Sequence, residues 1–186
     1  MSTIAHLSLA EYDRMIRSGV FDQAKRRRLE FIRGQIREMT PIGSSHEDVV
    51  DRLTQWSIEN VPRDRVRVRV QNSMGLVELQ SAPEPDIAWV VQRDYSLQRP
   101  TADDVLLVIE VAETSLSYDC HEKADLYASA GIADYWIVNL PDRSIEVRRD
   151  PGSGHYRSLQ TFSGNDEIRP LGVGELALRP SMLWAG

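Results

Sequence analysis

From Val66 to Val70 valine alternates strictly with arginine, the period-two pattern of a strand with one buried and one wet face. Val66, Val68 and Val70 are expected to point inward. Two further stretches, 85–91 (PDIAWVV) and 105–111 (VLLVIEV), are apolar at both parities, as strands covered on both faces must be, and form the expected heart of a sheet. Helical spacing takes over elsewhere. Leu9, Tyr12, Met15 and Ile16 follow Ser8, and Glu11 stands three residues after that serine, so a capping box predicts a helix over about 8–19 that stops at Gly19. A second box, Ser45 to Asp48, predicts a helix whose Val49, Leu53 and Trp56 share one stripe, with His46 in the first turn. Segment 119–131 (DCHEKADLYASAG) reads as a third helix, with Asp119 as N-cap, Glu122 at its third position and Gly131 as its stop. The stretch 29–39 (LEFIRGQIREM) predicts a hairpin around Gly34, and 135–140 and 144–150 predict strands joined through Pro141 and Asp142. Beyond about residue 151, glycines and prolines predict short strands and turns. The chain is therefore expected to be α/β, a central mixed β-sheet flanked by helices.

Composition narrows the setting. The chain has 186 residues, enough for one hydrophobic core and too few for two, so a single domain over 1–186 is expected. No apolar run is long enough to span a bilayer, and the first residues carry acids where a secretion signal would be basic and then apolar, so a cytoplasmic, membrane-free protein is expected. Cys120 is the only cysteine, which excludes an intrachain disulfide and a multi-thiolate zinc site. The formal net charge of −6 does not advertise nucleic-acid binding. Basic residues nonetheless cluster at Lys25, Arg26, Arg27 and Arg28, and again at Arg63, Arg65, Arg67 and Arg69. Arg65, Arg67 and Arg69 project from one strand face and either contact phosphates or form a charged edge that deters aggregation; the edge reading is preferred.

Two acids interrupt the apolar strands. Asp86 begins one and Glu110 lies near the end of the other, so antiparallel pairing that sets Val91 beside Val105 also sets Asp86 beside Glu110. Burying two carboxylates side by side is costly unless a cation compensates them, and oxygen ligands suit magnesium or manganese, which share phosphate oxygens. In the helix that follows, Asp119, Lys123 and Tyr127 share one face, so Lys123 can look toward the acids. A lysine beside a metal-activated water suits phosphodiester hydrolysis. Each residue also has a plain reading. Asp86 could be a turn residue after Pro85 and Glu110 a salt-bridged strand end. Lys123 could pair with Asp119 on a solvated helix face, and Glu30 with the basic run at 26–28. His46 could be a surface residue, and Glu113 and Asp119 loop or cap residues. Tyr127 and Trp136 read as core aromatics. Competing motifs fail: HEKAD lacks the second histidine of a zinc-protease helix, and no phosphate loop or nucleophile elbow is present.

The ordered set Pro85-Asp86, Ile109-Glu110-Val111, Lys123 and 133–139 (ADYWIVN) resembles the PD-(D/E)xK nuclease superfamily, and more narrowly the Uma-two family of restriction endonucleases. The stretch 108–147 is the most specific part, and FIRGQIREM with the Ser-Ser-His helix start extends the likeness toward the N-terminus. The resemblance implies a restriction-endonuclease-like fold, with an N-terminal helix over about 8–19, a nuclease core over about 28–150 and C-terminal strands and turns over about 151–186. It implies a Mg2+ or Mn2+ ion held by Asp86, Glu110 and the backbone carbonyl of Val111, with Glu30 completing the acidic cluster and His46 nearby. Ala112 stands where the superfamily lysine is usual, and Lys123 fills that role from the helix. The expected function is a Mg2+-dependent endonuclease acting on double-stranded DNA, with a homodimer suited to two strands. A non-catalytic nucleic-acid-binding or assembly module and an RNA-directed nuclease are the alternatives.

Overall fold

A computed structural model describes residues 4–22 and 28–184. The basic residues Lys25, Arg26 and Arg27 lie outside the described residues. Helix α1 (Leu9–Arg17) opens with the expected capping box, the Ser8 side chain accepting from the Glu11 amide and Glu11 returning to the Ser8 backbone. It leans Tyr12 onto the ring of Phe31, stacked at 4.6 Å between centroids. Strands β1 (Leu29–Ile32) and β2 (Gln35–Glu38) form the expected hairpin. Its two-residue turn, Arg33-Gly34, has both φ angles positive, as a tight antiparallel connection requires. A Cβ on Gly34 would also meet His6 at 2.8 Å, so glycine is required there twice over.

Helix α2 (Ser44–Asn60) begins one residue before its predicted cap. The Ser45–Asp48 capping box does not form: the N-cap is Gly43, without a side-chain cap bond, and the Asp48 carboxylate accepts instead from Arg52 at 2.8 Å. An i,i+4 ion pair has taken the acid that the cap needed. His46 does sit in the first turn, and it is buried.

Strands β3 (Val66–Val70), β4 (Ile87–Val91), β5 (Val105–Ala112), β6 (Asp134–Asn139), β7 (Ser144–Gly152) and β8 (His155–Ser163) form a six-stranded sheet in that spatial order. All neighbours are antiparallel except β5 and β6, which run parallel. That parallel step needs a crossover, supplied by α3 (Leu116–Tyr118), a π turn (Asp119–Lys123) and α4 (Ala124–Ser129). The backbone stays right-handed helical across both junctions, so the three pieces run on as one rod. Asp119 is thus not an N-cap but an interior residue, and the helix starts after Ser115. β7 continues through position 150 to Gly152, so the C-terminal segment supplies a nine-residue edge strand to the same sheet. Short 3-10 turns at Leu171–Val173 and Pro180–Leu183 close the described chain.

The sheet is covered on both faces, as its apolar central strands require. Leu107, Ile109 and Val111 of β5 pack with Leu53, Trp56, Trp89 and Trp136 under α2. Val108 and Ala112 pack with Leu126, Tyr127, Tyr135 and Ile137 under α4. Fully burying each large side chain contributes roughly 1.5–3 kcal/mol. Trp56 stacks on Trp89 at 5.3 Å, and the Trp89 indole donates to Ser57 at 3.0 Å. These contacts fix α2 against β4, and the first turn of the helix lies at the start of that strand, where His46 meets Asp86. Among the described residues no helix is long and apolar enough to cross a membrane.

Candidate active site

β4 and β5 pair Ile87 with Ile109, Ala88 with Val108 and Trp89 with Leu107. A bulge then shifts the register, so Val105 meets Val90 rather than Val91. The expected Val91–Val105 pair is therefore wrong, but the irregularity lies at the far end and leaves Asp86 beside Glu110. The Asp86 amide donates to Glu110 Oε2 at 3.3 Å. Both side chains take the parity that faces α4, Glu110 between Val108 and Ala112.

The crossover rod covers them with polar atoms. Lys123 Nζ donates to Glu110 Oε1 at 2.9 Å and lies 3.6 Å from Glu30 Oε2. Tyr127 donates its hydroxyl to the same Glu110 oxygen at 2.8 Å. The solvated Lys123–Asp119 pair is ruled out, because both residues are 3% exposed. The π turn carries the chain through Asp119 and Lys123, and such a bulge turns side chains to positions an unbroken α-helix would not give. The Asp119 carboxylate accepts from Ser115 at 2.6 Å, and its carbonyl accepts from Tyr135.

Glu30 enters from β1 and is 3% exposed, which excludes a surface role. One oxygen accepts from the Tyr118 hydroxyl at 3.0 Å, while the other has no hydrogen-bond donor. Arg37 of β2 donates to Tyr118 and ion-pairs with Glu122 at 2.6 Å. On the opposite wall, His46 Nε2 lies 3.0 Å from Asp86 Oδ2. Because an ionised carboxylate only accepts, Nε2 carries the proton, and the buried Nδ1 is the atom without a partner. Val111 meets Asp86 through its amide, which donates at 2.9 Å. Glu113 is exposed at the cleft mouth. Arg65, Arg67 and Arg69 lie on or beside the edge strand β3, away from the cleft lining. Arg65 pairs with Glu175, while Arg67 and Arg69 lie over the ring of Tyr95.

The result is a cleft of about 360 Å3 whose floor holds four buried carboxyl groups, Glu30, Asp86, Glu110 and Asp119, around one buried ammonium. Burial pushes the Glu110 carboxyl up, to about 8; the Lys123 ammonium pulls it back, and the neighbouring Asp119 and Asp86 charges add to the rise. Burial also raises Asp119. Burial opposes ionisation of Asp86 too, but His46, the Val111 amide and Lys123 outweigh it and hold that group below the usual carboxylate range. Desolvation works against the Lys123 charge, and Glu110, Glu30 and Asp119 overcome it, leaving a firmly protonated amine. Two acids on neighbouring strands are thus pushed in opposite directions, a pattern that clusters at reactive sites.

Among the described residues no three His, Cys, Asp or Glu side chains converge as a ready ligand set. Magnesium binds one or two carboxylates and completes its shell with water and substrate oxygens. The Asp86–Glu110 pair with the Val111 peptide beside it supplies donors of that kind, and the Glu30 oxygen without a hydrogen-bond donor has the Lys123 ammonium at 3.6 Å as its counter-charge. Sequence reasoning missed Tyr118, Tyr127 and Arg37 as site residues. Tyr127 did lie on the Asp119–Lys123 face, and an aromatic hydroxyl aligned with two charges is a signal for a buried donor.

A mixed sheet flanked by helices, with acids at the ends of paired central strands and a lysine above them, defines a restriction-endonuclease-like protein. A family model described as “Putative restriction endonuclease” matches residues 9–181, and the chain belongs to that family, Uma-two. A solved structure described as a “putative nuclease”, from Anabaena variabilis, is similar in fold: TM-score 0.67 at 15% identity, over 83% of this chain and 88% of that one. No curated protein matches the sequence.

Proposed function

We propose that this chain is a magnesium- or manganese-dependent endonuclease that hydrolyses phosphodiester bonds in DNA. The observation that carries the reading is the crowding of acids: four buried carboxyl groups share one buried ammonium at the floor of an accessible cleft. Asp86, Glu110 and the Val111 carbonyl would hold the ion. When bound, it supplies Lewis acidity and a water of lowered pKa.

The remaining chemistry belongs to the chain. His46 and the Val111 amide fix the Asp86 carboxylate in its ionised form. Tyr127 and Lys123 orient Glu110. Lys123, held beside Glu110, would set its charge against the phosphate as negative charge grows on the attacked oxygens. Glu30 and Tyr118 position the ammonium from its other side.

One observation favours a non-catalytic module: Glu110 Oε1 already accepts from two donors, Lys123 and Tyr127. Purified protein should nick supercoiled DNA with magnesium or manganese, and Asp86→Asn should abolish nicking. Absence of cleavage with either metal, or equal cleavage by Asp86→Asn, would remove the nuclease reading. RNA cleaved in preference to DNA would move the activity to the RNA-directed alternative.

A further inference from the structure

A second cavity, about 320 Å3, opens beside the first and shares Glu113 with it. Its wall combines Trp184, Leu183 and Pro141 with the guanidinium-bearing Arg143. The Trp184 indole nitrogen is buried and has no acceptor among the described residues. Arg143 forms no side-chain hydrogen bond or ion pair among the described residues, although most of the other arginines do. It stands in the β6–β7 turn with φ 49°, a conformation uncommon for any residue but glycine. The opposite rim is acidic, but Asp48 there is paired with Arg52.

We infer that this cavity receives an unpaired base of the nucleic acid, next to the phosphodiester in the catalytic cleft. The inference rests on the function proposed above and names the state of its substrate. Three features lead to it. The acids of the cleft floor are 3–5% exposed, so the attacked phosphate must descend into a narrow space. The two cavities, about 360 and 320 Å3, are each of a size to take one nucleotide unit. The second cavity pairs an apolar wall with an indole and an unpaired cation, the combination that holds single-stranded nucleic acid by stacking and phosphate contact. A base turned out of its stack would lie against the Trp184 ring, while Arg143 meets the adjoining phosphate. The shared residue Glu113 separates the two cavities and sets the register between base and attacked bond.

Binding is measured with calcium in place of magnesium, by anisotropy of a fluorescein-labelled 12-nucleotide DNA offered single-stranded, annealed to its complement, or carrying abasic positions. The single strand should bind at least about tenfold more tightly than the duplex, and the abasic strand should lose about tenfold. Arg143→Ala should weaken the single strand more than the duplex. Of the four tryptophans, Trp56, Trp89 and Trp136 are buried in the core, so quenching of intrinsic fluorescence by the strand should disappear in Trp184→Phe while binding is largely kept. Equal binding of strand and duplex, an unweakened abasic strand, failure of wild type to bind the single strand, or undiminished quenching in Trp184→Phe would each overturn the inference. A preference for the single strand without cleavage in magnesium would leave the base site standing and remove the nuclease; cleavage without strand preference would do the reverse.

Discussion

Two buried acids on adjacent strands of one sheet are treated in opposite ways. Asp134 at the start of β6 is fully buried, and its oxygens accept from the Trp136 indole, the Arg149 guanidinium and the Leu171 amide. Every lone pair that matters has a donor, and one acid faces one arginine. Glu110 on β5 shares its surroundings with three further acids and a single ammonium, and the adjacent Glu30 keeps an oxygen without a donor. The first arrangement is closed and joins the C-terminal segment to the sheet. The second is open to a cleft and keeps a charge imbalance that burial makes costly. The proposed function accounts for such an imbalance as a site that takes up a cation.

Substitutions should separate the two regions. The largest effect is expected at Lys123→Met, which leaves the acids without a counter-charge. DNA cleavage should fall on the order of a thousandfold and the metal-free protein should lose about 3–5 kcal/mol of stability, read by nicking assay and urea denaturation. Asp134→Ala should lose a similar stability, about 3–5 kcal/mol by stranding Arg149, yet the folded fraction should keep its activity. If Asp134→Ala proved inactive while well folded, the division into structural and functional acids would fail.

Glu110→Gln should behave in the contrary sense, abolishing cleavage while leaving the metal-free protein as stable as wild type or more so. Its pH dependence sharpens the point. A carboxyl raised from 4.5 to about 8 contributes stability that is fully present below about 4.5 and is lost as pH rises through about 8. Wild type should therefore lose stability across that window relative to Glu110→Gln, whereas Asp86, shifted down, contributes stability that is lost only as pH falls below its ordinary value of 3.8. Parallel denaturation curves for wild type and Glu110→Gln from pH 5 to 8 would show that Glu110 does not hold its proton. The smallest effect is expected at Tyr127→Phe, which removes one donor from Glu110 and should cost about 1 kcal/mol with cleavage reduced severalfold.

Much of this was legible in the residues, for physical reasons. Double-parity apolar strands interrupted by Asp86 and Glu110 announced both a two-sided sheet and acids needing compensation, and the antiparallel sum that pairs them survives in the structure. The bulge at Trp89/Val90 was not legible, because nothing in a run of apolar residues marks where an extra residue is absorbed. Nor was the π turn. Asp119 has the composition of an N-cap, and only the packing of the rod on Tyr135 draws it into the helix interior. The Ser45–Asp48 box failed because Arg52, one turn along, competes for the same carboxylate. Glu30 could not be joined to Lys123 from sequence, since a two-stranded hairpin and a crossover helix meet only through tertiary packing.

The central claim, that the open cluster takes up a divalent cation and the closed one does not, is tested most directly by calorimetric titration of manganese into wild type, Asp86→Asn and Asp134→Asn at one pH. A binding event in wild type that is lost in Asp86→Asn and kept in Asp134→Asn is the result expected. No binding by wild type, or binding unchanged in Asp86→Asn, would contradict it.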